Sequence, residues 1–201
     1  MAYIGLYGVY YSKATMVGGE VSAYTGLETM GKAISASFEP NDGGENNLYA
    51  NNGIAETDAT GAAGGTLTLT LDHLDADAIA DLFGLTKTTE SVTVGGTTVT
   101  GTGFDYEGNE VANTVGVAFI RQKQENNSRN LHEAVIYSAV TFKFPSEEAN
   151  TLGESVEWQT PEIEGTVTTN TGTYAWRKAF TFPSQAAAEQ FVSDYFAAPT
   201  P

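Results

Sequence analysis

The stretch GTLTLTL, from Gly65 to Leu71, alternates without a fault. Leu67, Leu69 and Leu71 fall on one side, and Thr66, Thr68 and Thr70 on the other. Successive strand side chains point to opposite faces, so this pattern predicts a strand with one buried and one wet face. The chain then runs into DHLDADAIADLFGL, where the period changes and predicts a helix over Ala76–Phe83. Asp75 is placed as its N-cap, Asp77 in the first turn where the dipole favours an anion, and Gly84 at the C-terminal stop. Ile79, Leu82 and Phe83 form its buried stripe.

Further strands read from the same rules. SVTVGGTTVTG predicts a hairpin turning at Gly95-Gly96. TVGVAFIRQKQENNSRNLHEAVIYSAVTFKFP predicts two long strands joined by a polar loop, Gln122–Asn130. The first buries Val115, Val117 and Phe119 or their alternates. The second, Ala134–Phe144, stops at Pro145, which has no N–H for a ladder. Ala33–Phe38 is a shorter strand, and Tyr174, Trp176, Lys178, Phe180 and Phe182 share a face in another. A final helix within SQAAAEQFVSDYFAA is capped by Ser184, with Phe191, Val192, Tyr195 and Phe196 on its apolar side. No strand is regularly followed by a helix, which disfavours a doubly wound α/β sheet. The expectation is one mainly β domain spanning residues 1–201. It is an antiparallel β-sandwich or barrel of about eight strands with one or two short flanking helices.

Three segments stand out. In GESVEWQTPEIEGTVTTN, Gly153–Asn170, two strands are expected to break at Pro161. Glu162, Glu164, Thr166 and Thr168 point one way, and Ile163, Gly165 and Val167 the other. Such a carboxylate ladder can hold a cation, stay solvated, or repel a polyanion. The start of the chain carries Tyr3, Tyr7, Tyr10 and Tyr11, read either as an arm (residues 1–20) seeking a partner surface or as a strand packed on its own sheet. Between Glu39 and Gly65 no period is visible, and a long structureless loop is expected. Its apolar residues Leu48, Tyr49 and Ile54 suit either an external contact or a plain insertion.

Composition narrows the function classes. A formal charge of −16 with nine Lys and Arg leaves too few cations to replace the counterions of a nucleic acid. The same balance disfavours an anionic membrane surface. With no cysteine there is no disulfide, thiolate nucleophile or Cys-ligated metal. At 41% hydrophobic and 11% aromatic residues, the chain is too apolar for disorder. No apolar run approaches the roughly 18 residues of a membrane span. The start MAYIGLYGVYYSKATMVGG lacks a basic leader before an apolar run, so a soluble, cytoplasmically assembled protein is expected.

Catalytic constellations are not legible. His73 and His132 lie in different contexts, and no GxSxG is present. Asp72, Asp75, Asp77 and Asp81 lack the spacing of a calcium loop, and helix capping accounts for them. Glu154, Glu157, Glu162 and Glu164 could in principle pair for glycoside hydrolysis, but no aromatic platforms cluster with His or Asn donors around a cleft. No catalytic, cofactor-binding or metal residue is assigned.

Read together, IGLYGVYYSKAT, NNLYANN, GGTLTLTLDHL, VGVAFIRQ and FKFPSEEANTLGESVEWQTPEIEGT resemble, in that order and over nearly the whole chain, the major tail proteins of long-tailed bacteriophages. These are the tail-tube subunits of the phi13-like kind. The resemblance implies a β-sandwich flanked by helix that assembles into hexameric rings stacked as a hollow tube. It implies that hairpin strands of neighbouring subunits line the channel and that a long loop and the termini reach across to neighbours. DNA passes through without specific binding, no cofactor is needed, and the partners are the protein itself with tape-measure, tail-tip and tail-terminator proteins. A virion tail assembled in the host bacterial cytoplasm is the implied location. Tailocins share this fold, and a monomeric β-sandwich binding module is the alternative. On this reading the channel strands are those around Val117–Gln122, Glu133–Phe142 and Glu154–Thr168. Glu154, Glu157, Glu162 and Glu164 face the channel, and Tyr3, Tyr7, Tyr10, Leu48, Tyr49 and Ile54 make contacts between subunits or rings.

Overall fold

Backbone pairing decides the architecture. The structure, a computed structural model, describes residues 2–41, 45–50, 53–59, 64–125, 128–146, 151, 160–169 and 171–197. Strands β1 (Ala2–Val17) and β2 (Glu20–Gly31) form a long hairpin turning at Gly18-Gly19, both at positive φ. Next come β3 (Ala33–Pro40), the paired β4 (Glu45–Ala50) and β5 (Gly53–Ala59), and β6 (Gly65–Leu71). Helix α1 (Ala76–Phe83) precedes a second hairpin, β7 (Lys87–Val94) and β8 (Thr97–Phe104). The chain continues through β9 (Thr114–Glu125), β10 (Ser128–Phe142), β11 (Glu162–Val167), β12 (Arg177–Phe182) and α2 (Gln185–Ala197).

Eight strands form the body, in the order β2-β1-β9-β10-β11-β6-β3, with β12 also beside β10. Every pairing is antiparallel. The strand β10 is the pivot. Its residues His132–Tyr137 pair with β12, while Val140–Phe142 pair with β11. The change of partner falls at Ser138-Ala139, where the ladder to β9 also shifts register. That shift inverts the alternation: Val135 and Tyr137 face one core, and after the bulge Val140 and Phe142 face it. A bulge bends a strand and raises its twist, and here it folds the layer β11-β6-β3 over the layer β1-β9-β10. The result is an antiparallel β-sandwich.

Two cores follow from this. The larger lies between the layers, with Leu67, Leu69 and Leu71 of β6 against Val115, Val117 and Phe119 of β9, and α1 closing its end. Each of those leucines is fully buried and contributes about 1.5–3 kcal/mol. The second core lies under α2, which covers the opposite face of β9 and β10 through Ala118, Ile120, Ala134 and Ile136. Gly116 lets Phe196 of α2 approach the strand closely, since a Cβ there would sit 2.3 Å from the ring. Ser138, wholly buried at the bulge, ties the layers to the helix. Its hydroxyl donates to the Ala175 carbonyl at 2.5 Å and lies 2.7 Å from the Tyr195 hydroxyl. The Tyr24 hydroxyl donates to the Ser138 carbonyl at 2.7 Å.

Several local expectations hold. The α1 limits are as read, Gly84 stops the helix at φ +67°, and Leu82 and Phe83 are buried. The Gly95-Gly96 turn forms, β6 alternates in burial, and the Ser184 hydroxyl accepts the Ala187 N–H at 3.2 Å. Others are corrected. Asp75 occupies the N-cap position of α1, but its carboxylate is 3.1 Å from His73 Nε2 and makes no cap bond. Ile79 is only half-buried, and Ala78 completes the stripe instead.

The sandwich holds eight strands, as expected, and two further hairpins bring the strands among the described residues to twelve. The expected loop Glu39–Gly65 contains the hairpin β4–β5, whose register shifts between Leu48 and Tyr49 and so hides any alternation. β2 was equally hidden, because the β1–β2 ladder shifts register at three places. The polar loop Gln122–Asn130 is mostly strand, with β9 running to Glu125 and β10 starting at Ser128. Trp176 does not share a face with Lys178, Phe180 and Phe182. It packs in the inter-layer core, whereas Phe180 and Phe182 meet Phe191 of α2.

Candidate assembly surfaces

The outer face of the β3-β6-β11 layer is a polar grid. Glu162 lies opposite Thr70, Glu164 opposite Thr68 and Thr166 opposite Thr66, and β3 adds Ser35, Ser37 and Glu39 beyond them. On β11, Glu162 and Glu164 are exposed while Ile163, Gly165 and Val167 are buried, as the alternation requires. Lys143 donates to Glu164 at 2.9 Å, and the Ser35 hydroxyl donates to Thr70 at 2.8 Å. The other two expected channel-facing carboxylates, Glu154 and Glu157, lie outside the described residues.

The other two proposed channel strands are corrected. From Val117 to Ile120 and from Ala134 to Tyr137, β9 and β10 are buried on both faces, one by the inter-layer core and the other by α2. They present no polar face over that length. Glu133 is buried rather than wet, at 6% exposure, and sits between two cations. Arg121 Nε donates to one carboxylate oxygen and Lys123 Nζ to the other, each at 2.5 Å. Burial pushes the Glu133 carboxyl up, but Lys123 and Arg121 outweigh it and hold it below the usual carboxylate range.

The tyrosines of β1 separate into two kinds. Tyr3 is half exposed, with the Arg121 guanidinium 3.9 Å from its ring centre. Tyr7 donates to Gln122 at 3.0 Å and packs near His132, and Tyr10 reaches Glu189 of α2 at 3.5 Å. Tyr7 and Tyr10 thus serve the chain's own sheet and helix. Leu48, Tyr49 and Ile54 lie on the hairpin β4–β5, with side chains outside the described residues.

Two ribbons stand apart from the body. Neither β4–β5 nor β7–β8 joins the eight-stranded sheet. Most of β7–β8 is exposed on both faces, including the cross-strand pair Val92 and Val99 and neighbouring Val94, between 54% and 68% exposed. An isolated two-stranded ribbon is marginal in water, so its exposed valines and unpaired edges mark a surface that gains from a partner.

A third feature had no sequence signal. Phe83, Tyr106, Phe144, Pro145 and Pro161 line a groove of about 400 Å³ beside Asp72 and His73. Tyr106 and Phe144 are 59% and 46% exposed, and Phe144 stacks on Phe83 at 4.7 Å. These rings come from four separate segments, so no local pattern could have joined them. In the segment after β8, Glu110 accepts the backbone N–H groups of Glu107 and Gly108. Its own N–H above all, then those of Glu107, Gly108 and Asn109, hold its carboxyl below the usual range.

Chemistry remains dispersed. His73 lies 2.8 Å from Asp72 and 3.1 Å from Asp75, whereas His132 is buried beside Tyr7, away from them. Among the described residues no group of three or more His, Asp or Glu is arranged around a metal position. No helix there is long and apolar enough to cross a membrane.

Fold and surfaces define a class: a mainly β, antiparallel sandwich with two short flanking helices and projecting ribbons. No protein-family model matches the chain, and no curated protein sequence matches it.

Proposed function

We propose that this protein is a structural subunit that assembles with copies of itself into stacked hexameric rings, forming the hollow tail tube of a long-tailed bacteriophage. The observation that carries the reading is the pair of ribbons, β4–β5 and β7–β8, that pair with no strand of the main sheet among the described residues, beside end strands β2 and β3 that pair on one side only there. A monomer leaves such edges and valines in water; a closed ring of subunits pairs and covers them. The motif resemblance supplies the particular machine, with tape-measure, tail-tip and terminator proteins as partners and no catalytic role.

The acidic excess fits a conduit. The grid around Glu162 and Glu164 is the polar sheet face offered to a channel, where carboxylates keep a DNA backbone from adhering. At physiological salt this repulsion reaches about 8 Å, so it acts near the wall.

Electron microscopy of the concentrated protein, alone and with tail-tip proteins, tests the reading: rings or tubes are expected. A particle that stays monomeric in both conditions would favour a binding module instead. Deleting Leu48–Ile54 is expected to stop tube growth and leave the monomer folded, and normal-length tubes from that deletion would count against the ribbon's role. Glu162→Lys with Glu164→Lys is expected to lower DNA delivery from assembled particles, and unchanged infectivity would remove the channel assignment.

A further inference from the structure

The groove of Phe83, Tyr106, Phe144, Pro145 and Pro161 has a definite shape. Phe144 lies nearly parallel to Phe83, with 23° between the ring planes, and Phe83 is buried, so the stack holds Phe144 in place. Tyr106 stands across Phe144 at 65°, with centroids 6.1 Å apart. Two exposed rings at that angle form a notch for a compact apolar ring. Aromatic-lined grooves take extended, proline-containing chain, because such chain is preformed and loses little freedom on docking. A volume of about 400 Å³ suits a few residues of it.

The chain carries one such segment of its own. Of its six prolines, Pro40, Pro145, Pro161 and Pro183 stand singly, while Pro199 and Pro201 form a Pro-X-Pro in Ala198-Pro199-Thr200-Pro201. These four residues follow α2 and lie outside the described residues. Ala198 and Thr200 each precede a proline, which favours extended backbone. The segment has no charged side chain. Between Pro145 and Pro161, by contrast, the chain has four Glu and no Lys or Arg. A segment drawn from there would set carboxylates against Asp72, which lines the groove.

Reach decides whose groove is filled. Phe196, one residue before the end of α2, lies over Gly116 of β9. Asn113, just before β9, donates its N–H to the Leu82 carbonyl of α1 at 3.0 Å. The segment therefore leaves the body towards the end that carries the groove. It leaves on the α2 face of the sheet, whereas the groove lies beside Ile79 and Phe83 of α1, on the inter-layer side. From Ala197 to Pro201 the chain spans at most about 14 Å. Within one molecule the path must cover about 10 Å along β9 and a further layer spacing of about 10 Å around the sheet. Pro199 and Pro201 fall short of their own groove.

We infer that the groove receives the Ala198–Pro201 segment of a neighbouring copy, with Pro199 between Tyr106 and Phe144. The inference rests on the self-assembly reading and names the segment and the surface that meet. Donor and acceptor are different patches, so the contact is heterologous and continues into a ring or a stack.

Cysteine trapping tests it, since the chain has no cysteine of its own. Thr200→Cys in one chain and Glu107→Cys in another, mixed in equal amounts under assembling conditions, should give a mixed disulfide read by mass. Glu107 is exposed beside Tyr106, and Thr97→Cys, at the other end of β8 from Phe104, is the control that should give no more than random pairing. Pro199→Ala with Pro201→Ala in the first chain, or Tyr106→Ala in the second, should lower the yield about tenfold, with circular dichroism unchanged. Trapping no better than the control, or trapping unaffected by those substitutions, would overturn the contact. So would a disulfide within one chain that carries both cysteines, formed in dilute monomer, since that puts the segment in its own groove. Normal tubes from the Pro199→Ala, Pro201→Ala chain without trapping would overturn the contact and leave the tube reading standing. A wild-type chain that neither associates nor supports trapping would overturn both.

Discussion

Glu133→Gln isolates the most concentrated electrostatic feature of the sandwich. The native carboxylate is 8% exposed at its side chain and shared by Lys123, 12% exposed, and Arg121, 28% exposed. The amide keeps the shape but removes the charge, leaving two cations side by side with one carbonyl oxygen between them. Breaking a fully buried pair costs about 3–5 kcal/mol. Because Arg121 can swing towards water, the lower end, about 3 kcal/mol, is expected.

The pH dependence gives a second check. The carboxyl of Glu133 is held below its usual range in the folded chain. Its contribution is therefore complete above the unfolded value, about 4.3, and is lost as pH falls through the depressed folded value. Urea unfolding followed by tryptophan fluorescence should show a constant gap between wild type and variant from about pH 6 to pH 8, narrowing in acid. A gap under about 1 kcal/mol at pH 7, or one that widens in acid, would refute the reasoning.

Three further outcomes follow from packing. Gly116→Ala sets a methyl 2.3 Å from the Phe196 ring and 2.7 Å from Tyr24 and should cost about 1–3 kcal/mol, read as a lowered Tm. Leu69→Ala, at a fully buried position, should cost about 2–5 kcal/mol, while Thr68→Ala on the wet face should stay within about 0.5 kcal/mol in the same denaturant assay. Val92→Thr with Val99→Thr removes exposed methyls from β7–β8 and should change monomer stability by no more than about 0.5 kcal/mol while slowing assembly measured by light scattering.

The candidate surfaces were partly legible in the chain. The Glu162–Glu164 ladder was visible because alternation on an edge of the core needs no knowledge of neighbours. Glu133 was not recognisable as buried, because its partners Arg121 and Lys123 lie across a ladder from it. Tyr7 and Tyr10 looked available for contacts, since nothing local says that Gln122 and Glu189 return to meet them. The aromatic groove was invisible for the same reason.

What the sequence determined by itself is each element whose instructions are local. The Leu–Thr period wrote β6, the change of period and Gly84 bounded α1, Gly95-Gly96 closed β7–β8, and Ser184 opened α2. Only the tertiary structure decided that β10 changes partners at Ser138-Ala139. That bulge reverses which side chains face which core, and it lets α2 cover the second face of β9 and β10. The physical reason is that a one-residue slip exchanges the two faces of a strand. Whether that exchange is favourable depends on the layers packed against each face, and those layers come from distant parts of the chain.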